Sequence, residues 1–288
     1  MNFEIRKIDK KQLPQKLLEL PEPPKHLYIR GEKWNDEHIF LCVVGSRSYT
    51  QYGRQVVEKL IAGLSGYPIT IVSGLAMGID ALAHIEAMKC GLGVIAIPGS
   101  GLSDDILYPA SNRKLAQDIL QYGGCLISEF ESEHKSMIHM FPRRNRIMAG
   151  ISDAALIIEA EIKSGTLITA RLATEYGKDV LTVPGSIFNL NSEGPHMLLK
   201  LGATPVRTSK DILEALHFAV LESPQMREHI YEQLSSEEKD IIDNLREPIK
   251  RDDLISLLKR PTSDILGTLM MLEIKGLIKE EYGEIRLL

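Results

Sequence analysis

Three arginines, Arg143, Arg144 and Arg146, stand at the start of a helical pattern in FPRRNRIMAGISDAALIIEAEIKSGTLIT, residues 141–169. A strand of the buried type, 154–159, follows, and a second helix opens on Ser164-Gly165-Thr166. Two helix N-termini therefore flank one strand. A helix N-terminus offers unpaired N–H groups and about half a positive charge, and arginine offers a fork of donors matched to phosphate oxygens. The chemistry this allows is the holding of a phosphate-bearing ligand. Phe141 precedes the arginines, Pro142 fixes the entry angle, and Asn145 can both donate and accept. An aromatic beside arginines is the combination used on single-stranded nucleic acid, where a base stacks and phosphates pair. Lys135 extends the basic track upstream. A solvated charged turn is the plainer alternative for any such run.

Other chemistry is thin. Asp80 and His84, four apart in SGLAMGIDALAHIEA, could form an acid/base pair, but that spacing more often marks a structural contact along a helix. His134 and His139 are five apart and share no helical face, and no third ligand suggests a metal. The sequence has no GxSxG, no GxxxxGK[ST] and no paired carboxylates at strand ends, so no enzyme and no bound NAD or ATP is expected. Gly45-Ser46-Arg47-Ser48-Tyr49-Thr50 lacks the second and third glycines of GxGxxG. It sets a cation, Arg47, at the turn where a dinucleotide fold keeps bare glycine.

The elements that would position these residues alternate. Short apolar runs at 39–44, 69–72, 94–97, 125–128, 154–159, 179–183 and, more weakly, 204–207 are each followed by a helical pattern. Strand–helix alternation predicts an α/β domain, a Rossmann-like parallel sheet with helices on both faces. Gly45-Ser46-Arg47, Ser73-Gly74, Gly99-Ser100-Gly101, Ser128-Glu129 and Gly185-Ser186 all follow strands, so they should share the carboxyl edge where open α/β sheets hold ligands. One such glycine needs only a tight turn to explain it; five on one edge suggest a groove that a ligand backbone can approach.

Composition sets the bounds. The chain has 288 residues and a formal net charge of −5, from 34 Lys+Arg against 39 Asp+Glu, so any nucleic-acid site must be a local basic patch. Cys42, Cys90 and Cys125 are scattered and suit neither a disulfide framework nor zinc. No apolar run approaches the roughly 20 residues of a membrane span, and residues 1–12 carry no signal-peptide core, so a soluble, cytoplasmic protein is expected.

Residues 1–38, with Pro14, Pro21, Pro23 and Pro24, read as an extended lead-in ending in a short strand at 26–30. The main domain is expected over 39–222. An amphipathic helix at 211–221 and a linker at 222–225 precede a small domain, 226–288: helices at 236–245, 251–258 and 263–276, then strands at 277–281 and 284–288 about a Tyr282-Gly283 turn. Three helices and a hairpin make a winged helix. Its third helix is rich in Leu, Met and Ile and the domain is acidic, which favours protein contact over duplex reading.

Together, VVGSRSYTQYG, SGLAMGIDALAHIEAM, AIPGSGLSDDILYP, LISE, FPRRNRIMAGISDAALIIEA and SGTLITARLATEYGKDVLTVPGS resemble, in order and spacing, the DNA-processing protein A family (DprA, also called Smf), over about residues 27–206. The resemblance implies an extended Rossmann-like domain that binds single-stranded DNA, dimerises, and loads the recombinase RecA during natural transformation and recombination, without enzymatic activity or cofactor. It implies DNA contacts from Arg47 with Gly45 and Ser46, and from a Phe-Pro-x-Arg-Asn-Arg motif placed on Phe141, Pro142, Arg143, Asn145 and Arg146, with Arg144 at the variable position. Ser73, Gly74, Gly99, Gly101, Ser164, Gly165 and Thr166 would line the same groove. Many members carry an N-terminal helical SAM-like domain, which this chain is expected to lack. Gly194-Pro195-His196-Met197-Leu198-Leu199 matches the family's Gly-x-Asn-x-Leu-Ile pattern, expected near the dimer contact, only in part. The alternative is a Rossmann-fold nucleotide-binding protein or nucleoside-monophosphate-hydrolysing enzyme of the lysine-decarboxylase-like class, but Thr169 stands where that class carries its catalytic glutamate.

Overall fold

A computed structural model of the chain describes residues 3–218, 231, 234–245, 249–258, 260–275, 277–281 and 283–287. The chain divides into two compact units, Met1–Val220 and Leu221–Leu288. The expected linker at 222–225 lies outside the described residues.

In the first unit the continuous apolar runs form the centre of one sheet. Its strands are β1 (Ile5–Asp9), β2 (His26–Gly31), β3 (Ile39–Val44), β4 (Ile69–Ser73), β5 (Gly93–Ala96), β6 (Cys125–Ser128), β7 (Ala154–Ile157), β8 (Asp179–Thr182) and β9 (Thr204–Pro205), in the order β1-β2-β6-β5-β4-β3-β7-β8-β9. Pairing is parallel from β6 through to β9. β2 runs antiparallel to β6, with Tyr28 opposite Ser128, and β1 antiparallel to β2, with Ile5 opposite Arg30. The 1–38 lead-in is therefore part of this sheet and not a separate segment. Leu27 and Ile29 are buried in the core, and Arg30 donates to the Leu102 carbonyl at 3.0 Å and pairs with Asp104. The strand expected at 26–30 falls on β2, whereas edge strand β1 was hidden in sequence because it mixes polar and apolar residues over only five positions.

The helices are α1 (Gln15–Leu18), α2 (Gln51–Ala62), α3 (Ile79–Lys89), α4 (Arg113–Tyr122), α5 (Met140–Ile151), α6 (Thr166–Glu175), α7 (Glu193–Lys200) and α8 (Ser209–Ala215). Side chains of a strand alternate between faces, and β3 shows the result. Leu41 and Val43 join a core with Leu60 and Ile61 of α2, Ala83 of α3 and Ile119 of α4. Phe40, Cys42 and Val44 join a second core with Leu17 of α1, Ile147 and Ile151 of α5 and Ala170 of α6. The sheet is sandwiched between them. The chain builds β4, β5 and β6 on one side of β3, then crosses back to lay β7, β8 and β9 on the other. That reversal puts a topological switch point at the carboxyl ends of β3 and its neighbours, which is where such folds open a crevice.

The second unit holds α9 (Ser236–Asn244), β10 (Ile249–Lys250), α10 (Arg251–Leu258), α11 (Thr262–Ile274), β11 (Ile278–Glu281) and β12 (Glu284–Leu287), with strand order β10-β12-β11. Ile241, Leu254, Ile265, Leu269, Leu272, Ile278 and Ile285 make its core. α9 opens on a reciprocal cap: the Glu238 N–H donates to Ser235 Oγ at 3.2 Å, and the Ser235 N–H donates to the Glu238 carboxylate at 3.0 Å.

Candidate nucleic-acid interface

A crevice of about 440 Å³ opens at the switch point. The turn after β3 supplies Gly45, Ser46 and Arg47; the first three turns of α5 supply Phe141, Arg144, Asn145 and Met148; the stretch entering α6 supplies Glu161, Lys163, Ser164, Gly165 and Thr166. Asp80 and Thr169 complete the lining given by α3 and α6. A larger hollow, about 740 Å³, lies among α6, β8 and α7 and shares Lys163, Ser164 and Gly165. Leu167, Ile168, Met197, Leu198 and Leu201 give it aliphatic walls, and its Arg171 is paired with Glu175 at 3.3 Å, which makes it the poorer seat for a phosphate.

The helix N-termini around the crevice are not equivalent. That of α2 is taken by Glu159, whose carboxylate accepts from the Thr50 N–H at 2.9 Å and the Thr50 hydroxyl at 2.6 Å. That of α3 carries Asp80 in its first turn, accepting from the Gly74 N–H at 3.1 Å. The first turns of α5 and α6 contain no acidic residue. Their positive ends are the two left for a ligand, and they flank β7.

The arginine cluster is dispersed by helix geometry. At about 100° per residue, positions 143, 144 and 146 face three directions. Arg144 turns inward: it is buried, donates to the Ile97 carbonyl at 2.8 Å and lines the crevice. Arg143 turns outward, with 58 % of its side chain exposed, 3.5 Å from the Glu129 carboxylate and with its guanidinium carbon 5.8 Å from the Phe130 ring centre. Arg146 is buried against the same Glu129 and the Glu22 carbonyl, outside the crevice lining. The motif is therefore corrected: its variable position falls on Arg143 and its first arginine is Arg144. Sequence placed Arg144 last among the three, although Phe-Pro-x-Arg-Asn-Arg read position by position already lands on it.

Arg47 is exposed, and its guanidinium carbon lies 5.8 Å from the centre of the Phe141 ring. Asn145 donates to the Gly165 carbonyl at 3.4 Å, and the Thr166 hydroxyl donates to the Gly45 carbonyl at 3.0 Å, tying the two sides of the crevice together. Ser164 Oγ accepts from the Thr166 N–H at 3.2 Å.

Most of the edge glycines serve the protein and not a ligand. A Cβ on Gly74 would come within 1.5 Å of the Arg144 guanidinium, and one on Gly99 within 2.6 Å of the Phe141 ring. One on Gly45 would meet Ile79 at 2.7 Å and one on Gly101 the Ser132 carbonyl at 2.2 Å. Gly165 alone of the five faces open space. Ser73 is buried, its hydroxyl donating to the Val43 carbonyl at 2.6 Å, and it does not reach the crevice lining. Lys135 is exposed in the loop before α5, outside that lining.

Asp80 and His84 do not make the expected contact. Asp80 faces the crevice, and among the described residues neither ring nitrogen of buried His84 has a hydrogen-bond partner. Burial, with the positive Arg144 nearby, pulls the His84 pKa down to about 3; the Ser73 main chain pulls the other way but reaches neither nitrogen in hydrogen-bond geometry. Burial raises the Asp80 pKa, opposed by Arg144 and by the N–H groups of Gly74 and Gly45. Lys163 was passed over in sequence; its signal was its place directly before Ser164-Gly165-Thr166, at the entry to an acid-free helix.

An extended Rossmann-like sheet with a cationic switch-point crevice, followed by a winged helix, defines the class. The model of DNA recombination-mediator protein A matches residues 4–217, and that of the DprA winged helix domain matches 227–284. The chain is 34 % identical to Protein Smf of Escherichia coli, covering 98 % of this chain and 76 % of the relative, and 38 % identical to the DNA processing protein DprA of Streptococcus pneumoniae, covering 71 % of each. The X-ray structure of the Streptococcus pneumoniae protein superposes with a TM-score of 0.70 at 35 % identity, covering 76 % of each chain. A solved structure of DNA processing protein A from Helicobacter pylori, described for its single-stranded DNA binding mode, superposes with a TM-score of 0.67 at 30 % identity, covering 74 % of this chain and 96 % of that one. The chain belongs to the DNA recombination-mediator protein A family, DprA or Smf.

Proposed function

We propose that this protein binds single-stranded DNA in the switch-point crevice and delivers it to the recombinase RecA, as a cytoplasmic homodimer acting in recombination and natural transformation. The observation that carries the DNA reading is the pair of acid-free N-termini, α5 and α6, facing Arg47, Arg144 and Lys163 in one crevice. Phosphate oxygens meet N–H groups and guanidinium forks there. Thr169 is buried in the crevice wall, so the position that a nucleotide-hydrolysing relative gives to a carboxylate here carries a hydroxyl. The Helicobacter pylori relative's single-stranded DNA binding supports the ligand class. On this reading 39–222, with the 1–38 strands, holds the DNA, and 226–288 is a separate winged-helix module.

Titration with labelled single- and double-stranded oligonucleotides tests the proposal. Single strands should bind more tightly, with log K falling against log salt by about 0.7 per phosphate neutralised. Equal or absent affinity for both forms at low salt would remove the crevice from the function.

A further inference from the structure

Phe141 occupies the place in the arginine motif where a stacking ring is expected, yet its surroundings leave it little room to receive a base. Its ring lies against the Gly99 backbone so closely that a Cβ there would sit 2.6 Å away. The Arg47 guanidinium carbon is 5.8 Å from its centre, and the Tyr108 ring centre is 5.7 Å away, inclined at 54°. Phe141 is half-buried, whereas Tyr108 is 44 % exposed.

We propose that Tyr108 is the ring on which a nucleobase stacks, and that Phe141 is the pedestal against which both Tyr108 and Arg47 are braced. The inference rests on the single-stranded DNA reading and adds the residue that senses the base. An exposed ring braced by a second ring, with a cation on the same brace, offers a π-face and a phosphate partner on one support. The loop that carries Tyr108 is held on both sides. Leu107 is buried and its carbonyl accepts from Arg113 Nε at 3.3 Å; Asn112 donates to the Leu75 and Ala76 carbonyls at 2.9 and 3.0 Å. A ring on a fixed support loses little freedom on binding, which is what makes an aromatic seat effective.

A similar arrangement recurs at the end of β6, where Arg143 lies 5.8 Å from the Phe130 ring and His134 stands 5.6 Å from it at 41°. There the cation is already engaged by Glu129 at 3.5 Å. That second seat has its phosphate partner partly neutralised, so Tyr108 carries the larger share.

The experiment compares two probes on the full chain: an oligothymidylate and an abasic sugar-phosphate strand of equal length. Wild type should prefer the bases by about tenfold or more. Tyr108→Ala and Tyr108→Leu should lose most of that preference while keeping the abasic affinity and its salt slope, and Tyr108→Phe should keep the preference. Retained abasic binding reports a folded crevice, and Tyr108→Leu decides if the alanine variant loses it. A base preference that survives both substitutions overturns the stacking seat alone. A wild-type chain that binds neither probe overturns the DNA reading and this inference with it.

Discussion

In the winged-helix unit the cations of Arg251, Arg260 and Lys275 are held by carboxylates, whereas at the carboxyl edge of the sheet Arg47 and Lys163 are left facing a crevice. Arg251 pairs with Glu280, Arg260 lies 3.5 and 3.9 Å from Glu237 and Asp240, and Lys275 pairs with Glu238. α11, where a duplex-reading winged helix presents its donors, has no Lys, Arg, Asn or Gln between Thr262 and Ile274 and exposes Leu266, Met270 and Met271 instead. In the first unit Arg47 and Lys163 have no carboxylate within ion-pair distance among the described residues, while buried Arg144 donates to the neutral Ile97 carbonyl and has Asp80 as its nearby countercharge. A chain of net charge −5 can thus carry a phosphate seat, because what matters is where its cations go unanswered and not their sum.

The sharpest way to break this contrast is Arg144→Ala. It removes the crevice's buried cation and strands Asp80, so single-strand affinity should fall by more than about 100-fold and the fold should lose about 3 kcal/mol. Adding Asp80→Asn should return much of the stability and none of the binding, which denaturant midpoints and oligonucleotide titration would separate. Arg144→Ala with native affinity would sink the crevice.

Acid separates the units next. Unfolded His84 takes up a proton near pH 6.5, but buried His84 resists until about 3. The unfolded chain therefore binds more protons between those values, so the stability is whole above pH 6.5 and falls on acidification, by about 1.4 kcal/mol per pH unit from this group. His84→Leu should flatten that dependence in denaturant melts between pH 7 and 5; an unaltered slope would show the imidazole is reached by water. Among the cations, Arg47→Ala should cost about 1–2 kcal/mol of binding and lower the salt slope by about 0.7. Arg143→Ala should cost less, since Glu129 already answers that charge. Equal effects at 47 and 143 would mean that ion pairing at the edge is not what grades these sites.

How much of this was visible before coordinates follows from which interactions are local. Strand β3 and helix α10 fall on the expected residues because continuous burial and helical spacing are written within the segment. The acid-free starts of α5 and α6 were equally legible. The direction of each arginine was not: one-residue steps on a helix turn neighbours apart, and only Glu129, arriving from β6, decides that Arg143 and Arg146 are engaged while Arg144 is turned inward. The glycines misled for the same reason. Gly74 and Gly99 look like room for a ligand, and the atoms that fill that room, Arg144 and Phe141, are distant in sequence. Asp80 and His84 share a spacing but are divided by the packing around them, which no helix periodicity reports.

The smallest effect expected is that of removing 225–288. If single-strand affinity resides in the switch-point crevice, the truncated chain should bind within about twofold of the full protein, or less than 0.5 kcal/mol, with the same salt slope. The first unit keeps its two cores and its whole crevice lining when the tail is gone, since Ile285, Leu254 and their partners form a core of their own. A steep loss of affinity with an unchanged slope would point to base contacts from the exposed Leu and Met face of α11. A loss accompanied by a shallower slope would instead require phosphate partners in a unit where Arg251 and Arg260 are already paired. Either outcome would reverse the contrast drawn between the two units, and the slope would say which half of it was wrong.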